Sequence, residues 1–135
     1  MTTFQLERDI NLVCLKATSF PAGIRAAFAK LGTIIKHPAK EYFGISYFEN
    51  GEIVYKAAVE QRDQGEAESL GLETFIFEKG TYFTETVNDF MNDPSKVKDC
   101  FERMLALPEF DERFPCIEWY TSPNDVRCIV RKKIS

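Results

Sequence analysis

The sequence predicts an α+β domain in which an antiparallel sheet carries helices on one face and is assembled from two similar halves. Three observations lead there. A strand-like apolar run, an amphipathic helical stripe and a hairpin follow one another twice along the chain. The two hairpins align at a constant spacing, because Tyr47 to Tyr120 and Ile53 to Val126 are both 73 positions apart. A length of 135 residues with 44% apolar side chains suits one domain with a real core and leaves no surplus for a second. A single domain therefore spans 1–135, with halves near 1–62 and 70–135.

The first half opens with Ile10 to Ala17, where the unbroken run Leu12-Val13-Cys14-Leu15 reads as a buried strand. Ser19 is placed to cap a helix with Pro21 in its first turn, where a missing amide hydrogen costs nothing. Ile24, Ala27, Phe28, Leu31 and Ile34 or Ile35 recur at helical spacing, and Pro38 ends the element. Tyr42 to Phe48 and Glu52 to Glu60 then read as strands around Asn50-Gly51, a pair that tolerates the positive φ of a tight hairpin.

Gln61 to Gly71 is polar without apolar period and reads as the connection between halves. Leu72 to Glu78 is strand-like, and Gly80 marks a bend or bulge before Thr81 to Thr84. A short helical turn fits Val87 to Met91. Asp93-Pro94 opens a helix whose apolar stripe is Val97, Phe101, Met104 and Leu105. Leu107 to Phe114 is a loop, and Cys116 to Thr121 pairs with Val126 to Lys132 through Ser122-Pro123-Asn124-Asp125.

Charge narrows the partners. Seventeen basic against 21 acidic residues give a net charge of −4, with no cluster to displace counterions from a phosphate backbone, so direct nucleic-acid binding is not expected. The one basic run, Arg131 to Lys133, reads as a solvated tail. No stretch is long and apolar enough to cross a membrane, and Met1 to Asp9 lacks the pattern of a signal peptide. Cys14, Cys100, Cys116 and Cys128 form no CxxC pair, and three lie in apolar runs, which fits reduced thiols in a cytoplasmic protein. His37 stands alone at a helix end, so no metal site is expected. Gly-rich phosphate loops and Ser–His–Asp sets are missing too, and no cofactor is expected.

Glu118 is the informative residue. It interrupts Cys116-Ile117-Glu118-Trp119-Tyr120, a segment otherwise suited to the middle of a sheet. Alternation puts Cys116, Glu118 and Tyr120 on one face and Ile117 with Trp119 on the other. If Ile117 and Trp119 pack under a helix, Glu118 points to the opposite face. On an open wet face the carboxylate is merely solvated. In an apolar concavity, desolvation raises its pKa and a bound cation restores the charged form. Tyr120, on the same face, and Tyr47, its partner in the repeat, are candidate walls, with Tyr55 and Tyr82 behind them. A carboxylate among tyrosine rings is a recipe for a lipophilic cation, since rings add area and cation–π attraction.

Leu72 to Tyr82 (LETFIFEKGTY), Pro115 to Tyr120 (PCIEWY), Phe43 to Tyr47 (FGISY) and Val54 to Val59 (VYKAAV) together resemble the GyrI-like family, the bacterial effector-binding domain, over nearly the whole chain. The resemblance implies a pseudo-two-fold pair of β-α-β-β units with a ligand pocket between the half-sheets, an acidic pocket residue at Glu118 and aromatic walls. The segment before that glutamate, Pro108 to Arg113, is shorter and more acidic than is usual in the family. The expected function is a stand-alone small-molecule-binding domain with Glu118 as anchor, acting in transcription regulation or drug resistance through a separate partner. The alternatives are a hydrolase of reactive electrophiles with Glu118 as general base, and a gyrase-inhibitor-like protein-interaction module.

Overall fold

The computed structural model describes residues 1–35, 39 and 41–134. Its elements are β1 (Thr2–Leu6), β2 (Ile10–Lys16), α1 (Ile24–Ile34), β3 (Tyr42–Glu49), β4 (Glu52–Glu60), α2 (Glu66–Leu70), β5 (Glu73–Phe77), β6 (Gly80–Val87), α3 (Ser95–Leu105), β7 (Cys116–Tyr120) and β8 (Val126–Arg131). The strands form one antiparallel sheet of eight in the order β1-β6-β8-β7-β3-β4-β2-β5. Counted outward from the β7–β3 seam, the two sides match strand for strand, with α3 over β6 and β8 and α1 over β2 and β4. The outermost strand of each side comes from the other half. β1 precedes β2 in the chain yet pairs with β6, and β5 precedes β6 yet pairs with β2.

The order forces curvature. Phe77 ends β5 at one edge, and Gly80 begins β6 near the other, with only Glu78 and Lys79 between. Three virtual bonds reach at most about 11 Å, so the two ends of the sheet must come together there. Phe77 accordingly makes edge-to-face contacts with Tyr82 at 5.1 Å and Trp119 at 5.9 Å across the interior. On this inner side one continuous cluster, with Leu12, Phe43, Ile45, Phe77, Ile117 and Ile129 at its centre, runs across the sheet. The outer side carries the helices and holds two separate clusters, one under α1 around Val13, Leu31, Tyr55 and Ala57, the other under α3 around Cys100, Met104, Val126 and Cys128. The seam between them is where Glu118 emerges.

Several local expectations hold for the reasons given. Asn50 and Gly51 turn the β3–β4 hairpin at φ 53° and 79°. Others shift. Ser19 starts a turn, accepting a bond from the Gly23 amide at its own carbonyl, and α1 begins only at Ile24. Pro94 occupies the position before α3 rather than its first turn. The polar connection contains α2, anchored by buried Ala67. The predicted helix end at His37 and Pro38 lies outside the described residues. Strand β1 went unpredicted, because Thr2-Thr3-Phe4-Gln5-Leu6 is too polar to read as core.

The constant spacing of 73 misplaced one strand. The first hairpin turns through two residues, Glu49 facing Glu52, while the second turns through 121–125, Tyr120 facing Val126. An even and an odd loop cannot keep both strands of a hairpin in one alignment. Ile53 and Val126 do share the outer face, but Tyr47 points inward and Tyr120 outward. The expected helix contact is also reversed. Ile117 and Trp119 pack on the inner side with Phe43 and Phe77, and the helices cover the face that carries Glu118.

Candidate functional site

Glu118 sits mid-strand in β7, directly opposite Gly44 of β3. Its Oε1 accepts two phenolic hydrogen bonds, from Tyr55 at 2.5 Å and from Tyr120 at 2.9 Å. Tyr55 comes from β4, the next strand out on the α1 side, and is 2% exposed. Gly44 makes this meeting possible. A Cβ at that position would overlap the Tyr55 hydroxyl and press on Glu118 Oε1. A glycine inside a strand gives up packing, and here the space it leaves is taken by a hydroxyl and a carboxylate.

Aromatic rings close over the group. Phe28 of α1 makes edge contacts with Tyr42, Tyr55 and Tyr120 at 6.0, 6.2 and 5.8 Å. Phe90, in the β6–α3 connection, reaches Tyr120 from the other side at 5.3 Å. Phe20, in the turn before α1, lies 6.0 Å from Tyr55 and is itself 42% exposed. Glu118 keeps some solvent access while protein surrounds its carboxylate. Open surface depressions of about 410 Å³ beside Lys96 and Arg103, and about 500 Å³ beside Arg62 and Ile76, lie elsewhere and do not include it.

The electrostatics follow from burial. Desolvation pushes the Glu118 carboxyl above the ordinary range, and the two tyrosine hydrogen bonds oppose it in part. Tyr55 and Tyr120 are both driven up, first by burial and then by the adjacent carboxylate, so both hydroxyls remain donors at neutral pH. Burial also lifts Cys116, on the same face, to about 11. Among the described residues no Lys or Arg pairs with Glu118. A buried acid held by neutral donors and rings is costly to ionise, and an incoming cation would stabilise the ionised form.

Of the predicted site residues, Glu118, Tyr120 and Tyr55 come together. Tyr47 and Tyr82 do not join them. Tyr47 faces inward with the Lys56 ammonium 5.5 Å from its ring, and Tyr82 donates to the Glu78 carbonyl at 2.5 Å. Phe28, Phe90, Phe20, Tyr42 and Gly44 were not singled out. Gly44 carried a readable signal, since a lone glycine in an apolar strand marks a close approach. Phe28 read as ordinary helical stripe, and no spacing rule brings residue 28 against 120.

No protein-family model and no curated protein matches this sequence. Solved structures do match it in fold. An integron cassette protein from the mobile metagenome of Vibrio cholerae, VCH_CASS2, is 16% identical with a TM-score of 0.67, over 98% of this chain and 95% of that one. SAV2435 bound to tetraphenylphosphonium is 14% identical with a TM-score of 0.60, over 96% and 93%. A hydrolase from Listeria innocua is 10% identical with a TM-score of 0.53, over 97% and 90%. These likenesses extend across both halves and establish a shared architecture.

Proposed function

We propose that this domain binds a lipophilic organic cation, with Glu118 as counter-charge and Phe28, Tyr42, Tyr55 and Tyr120 as walls. The observation that carries the reading is a carboxylate enclosed by hydroxyl donors and aromatic rings, with no basic side chain paired to it among the described residues. That combination lacks one component, a positive charge with apolar substituents. Support comes from the bound cation in SAV2435, whose fold this chain shares, and from the resemblance to the GyrI-like family.

Rings now fill the space above Glu118, so entry requires Phe28 or Phe20 to swing aside. Phe20 is the more exposed of the two and lies in a turn. The cation then meets the carboxylate in a dry setting, where their attraction is much stronger than in water. Burial raises the carboxyl pKa and a bound cation favours the charged form, so cation binding is linked to proton release. A regulatory role would run through a separate partner protein that senses the loaded state.

Tetraphenylphosphonium and the neutral triphenylphosphine oxide serve as paired probes in calorimetry. Glu118→Gln keeps volume and hydrogen-bonding capacity but deletes the charge. It should weaken the phosphonium roughly 10- to 100-fold, the worth of one buried charge contact, and leave the oxide nearly unchanged. Equal loss for both probes would refute the role of charge. A second reading is hydrolysis, favoured by a raised carboxyl beside two proton-donating hydroxyls, the setting of a general base with an electrophile holder. There the same substitution would spare affinity and remove turnover by about two to four decades.

A further inference from the structure

Strand β8 presents a second charged group to the opposite face of the sheet. Arg127 points inward, and its guanidinium carbon lies 4.4 Å from the Phe4 ring centroid and 5.1 Å from that of Trp119. It makes no hydrogen bond or ion pair with any described residue. Other arginines of the chain differ. Arg131, four positions along on the same face, donates to the Lys79 carbonyl at 3.1 Å and the Tyr82 hydroxyl at 2.9 Å. Arg113 is forked onto Asp111, and Arg103 donates a single bond to Glu85. The carboxylate whose field reaches Arg127 is that of exposed Glu41, which forms no ion pair with it. The indole N–H of Trp119 is itself buried and has no acceptor among the described residues.

The five guanidinium N–H groups therefore have no acceptor among the described residues. Every one is a donor, so water and oxyanions fit and cations do not. Two rings flank the guanidinium, and its forked donors are unpartnered, the chemistry of a two-pronged oxyanion clamp. Arg127 is only half-buried, so a solute can reach that edge.

We propose that Arg127, flanked by Phe4 and Trp119, forms an oxyanion site for a carboxylate or phosphate group, on the opposite face of the β7–β8 hairpin from Glu118. The site is independent of the cation chamber, because alternate residues of the same two strands supply the two faces.

Trp119 is the sole tryptophan of the chain, so its emission reports directly on the site. Wild-type protein is titrated with inorganic phosphate, and separately with acetate, at constant ionic strength held with chloride. A saturable change in emission with either ion is expected, and the ion that saturates at lower concentration identifies the preferred group. Arg127→Lys keeps charge without the fork and should weaken binding about tenfold. Arg127→Gln should abolish the response, and circular dichroism checks that both variants are folded. If Arg127→Gln does not fold, Arg127→Lys decides alone. A wild type that gives no saturable response, or the same response in chloride, overturns the proposal. So does a folded Lys variant that titrates like wild type.

Discussion

Replacing Gly44 by alanine should disable the Glu118 chamber from behind. The new methyl group falls on the hydroxyl of buried Tyr55 and against Glu118 Oε1. Overpacking of this kind costs about 1–3 kcal/mol, and expelling the Tyr55 hydroxyl from its 2.5 Å bond costs about a further 1–3 kcal/mol. Gly44→Ala should therefore destabilise by about 2–6 kcal/mol. Tyr55→Phe alone should cost about 1–3 kcal/mol, since Tyr120 still donates to the same oxygen. Combined, the two changes share one loss, because removing the hydroxyl also removes the nearest obstacle to the methyl group. The double variant should be more stable than the sum of the singles predicts by about 1–3 kcal/mol. Urea denaturation of the four proteins measures this coupling, provided the slopes agree. Additivity within about 0.5 kcal/mol would refute the geometry, as would a Gly44→Ala variant as stable as wild type.

Two further outcomes follow from the same site and its reverse side. The folded pKa of Glu118 lies above its unfolded value, so its effect on stability is most favourable below the ordinary carboxylate range and is lost as pH rises through the raised value. Stability of wild type relative to Glu118→Gln should thus fall with rising pH, and phosphonium affinity should rise over the same interval, as shown by denaturation and calorimetry across pH; flat profiles would mean that the carboxyl is not perturbed. Trp119→Ala should cost about 3–5 kcal/mol through lost contacts with Phe43 and Phe77, seen as a lower urea midpoint, and a near-neutral change would contradict its place in the inner cluster.

Much of this was legible in local pattern. Apolar runs and the Asn50-Gly51 turn place β2, β3 and β4, and period-two alternation correctly unites Glu118 with Tyr120. Pattern fails where the deciding contacts lie far apart in the chain. Whether Glu118 faces the helices depends on which side of the sheet can close on itself, and that is set by the two-residue β5–β6 link together with the exchanged edge strands. The symmetry argument for Tyr47 failed on a difference in loop parity, which an alignment of similar residues does not register. Tyr82 lies inward because β6 pairs Tyr82 with Arg131, whose side chain also faces the interior.

The exchange of edge strands also orders events during folding. Thr2 of β1 pairs with Thr84 of β6, so a chain emerging N-terminus first holds its opening segment unpaired until more than half the sequence has appeared. β2 likewise waits for β5 to cover its open side, although β4 can claim its other side earlier. The early product is then a three-stranded sheet of β2, β4 and β3 beneath α1, with a bare hydrogen-bonding edge at each side. Each half finishes the other, and the floor beneath Glu118 forms only at that last joining, when β7 docks on β3 and brings the glutamate up to Tyr55.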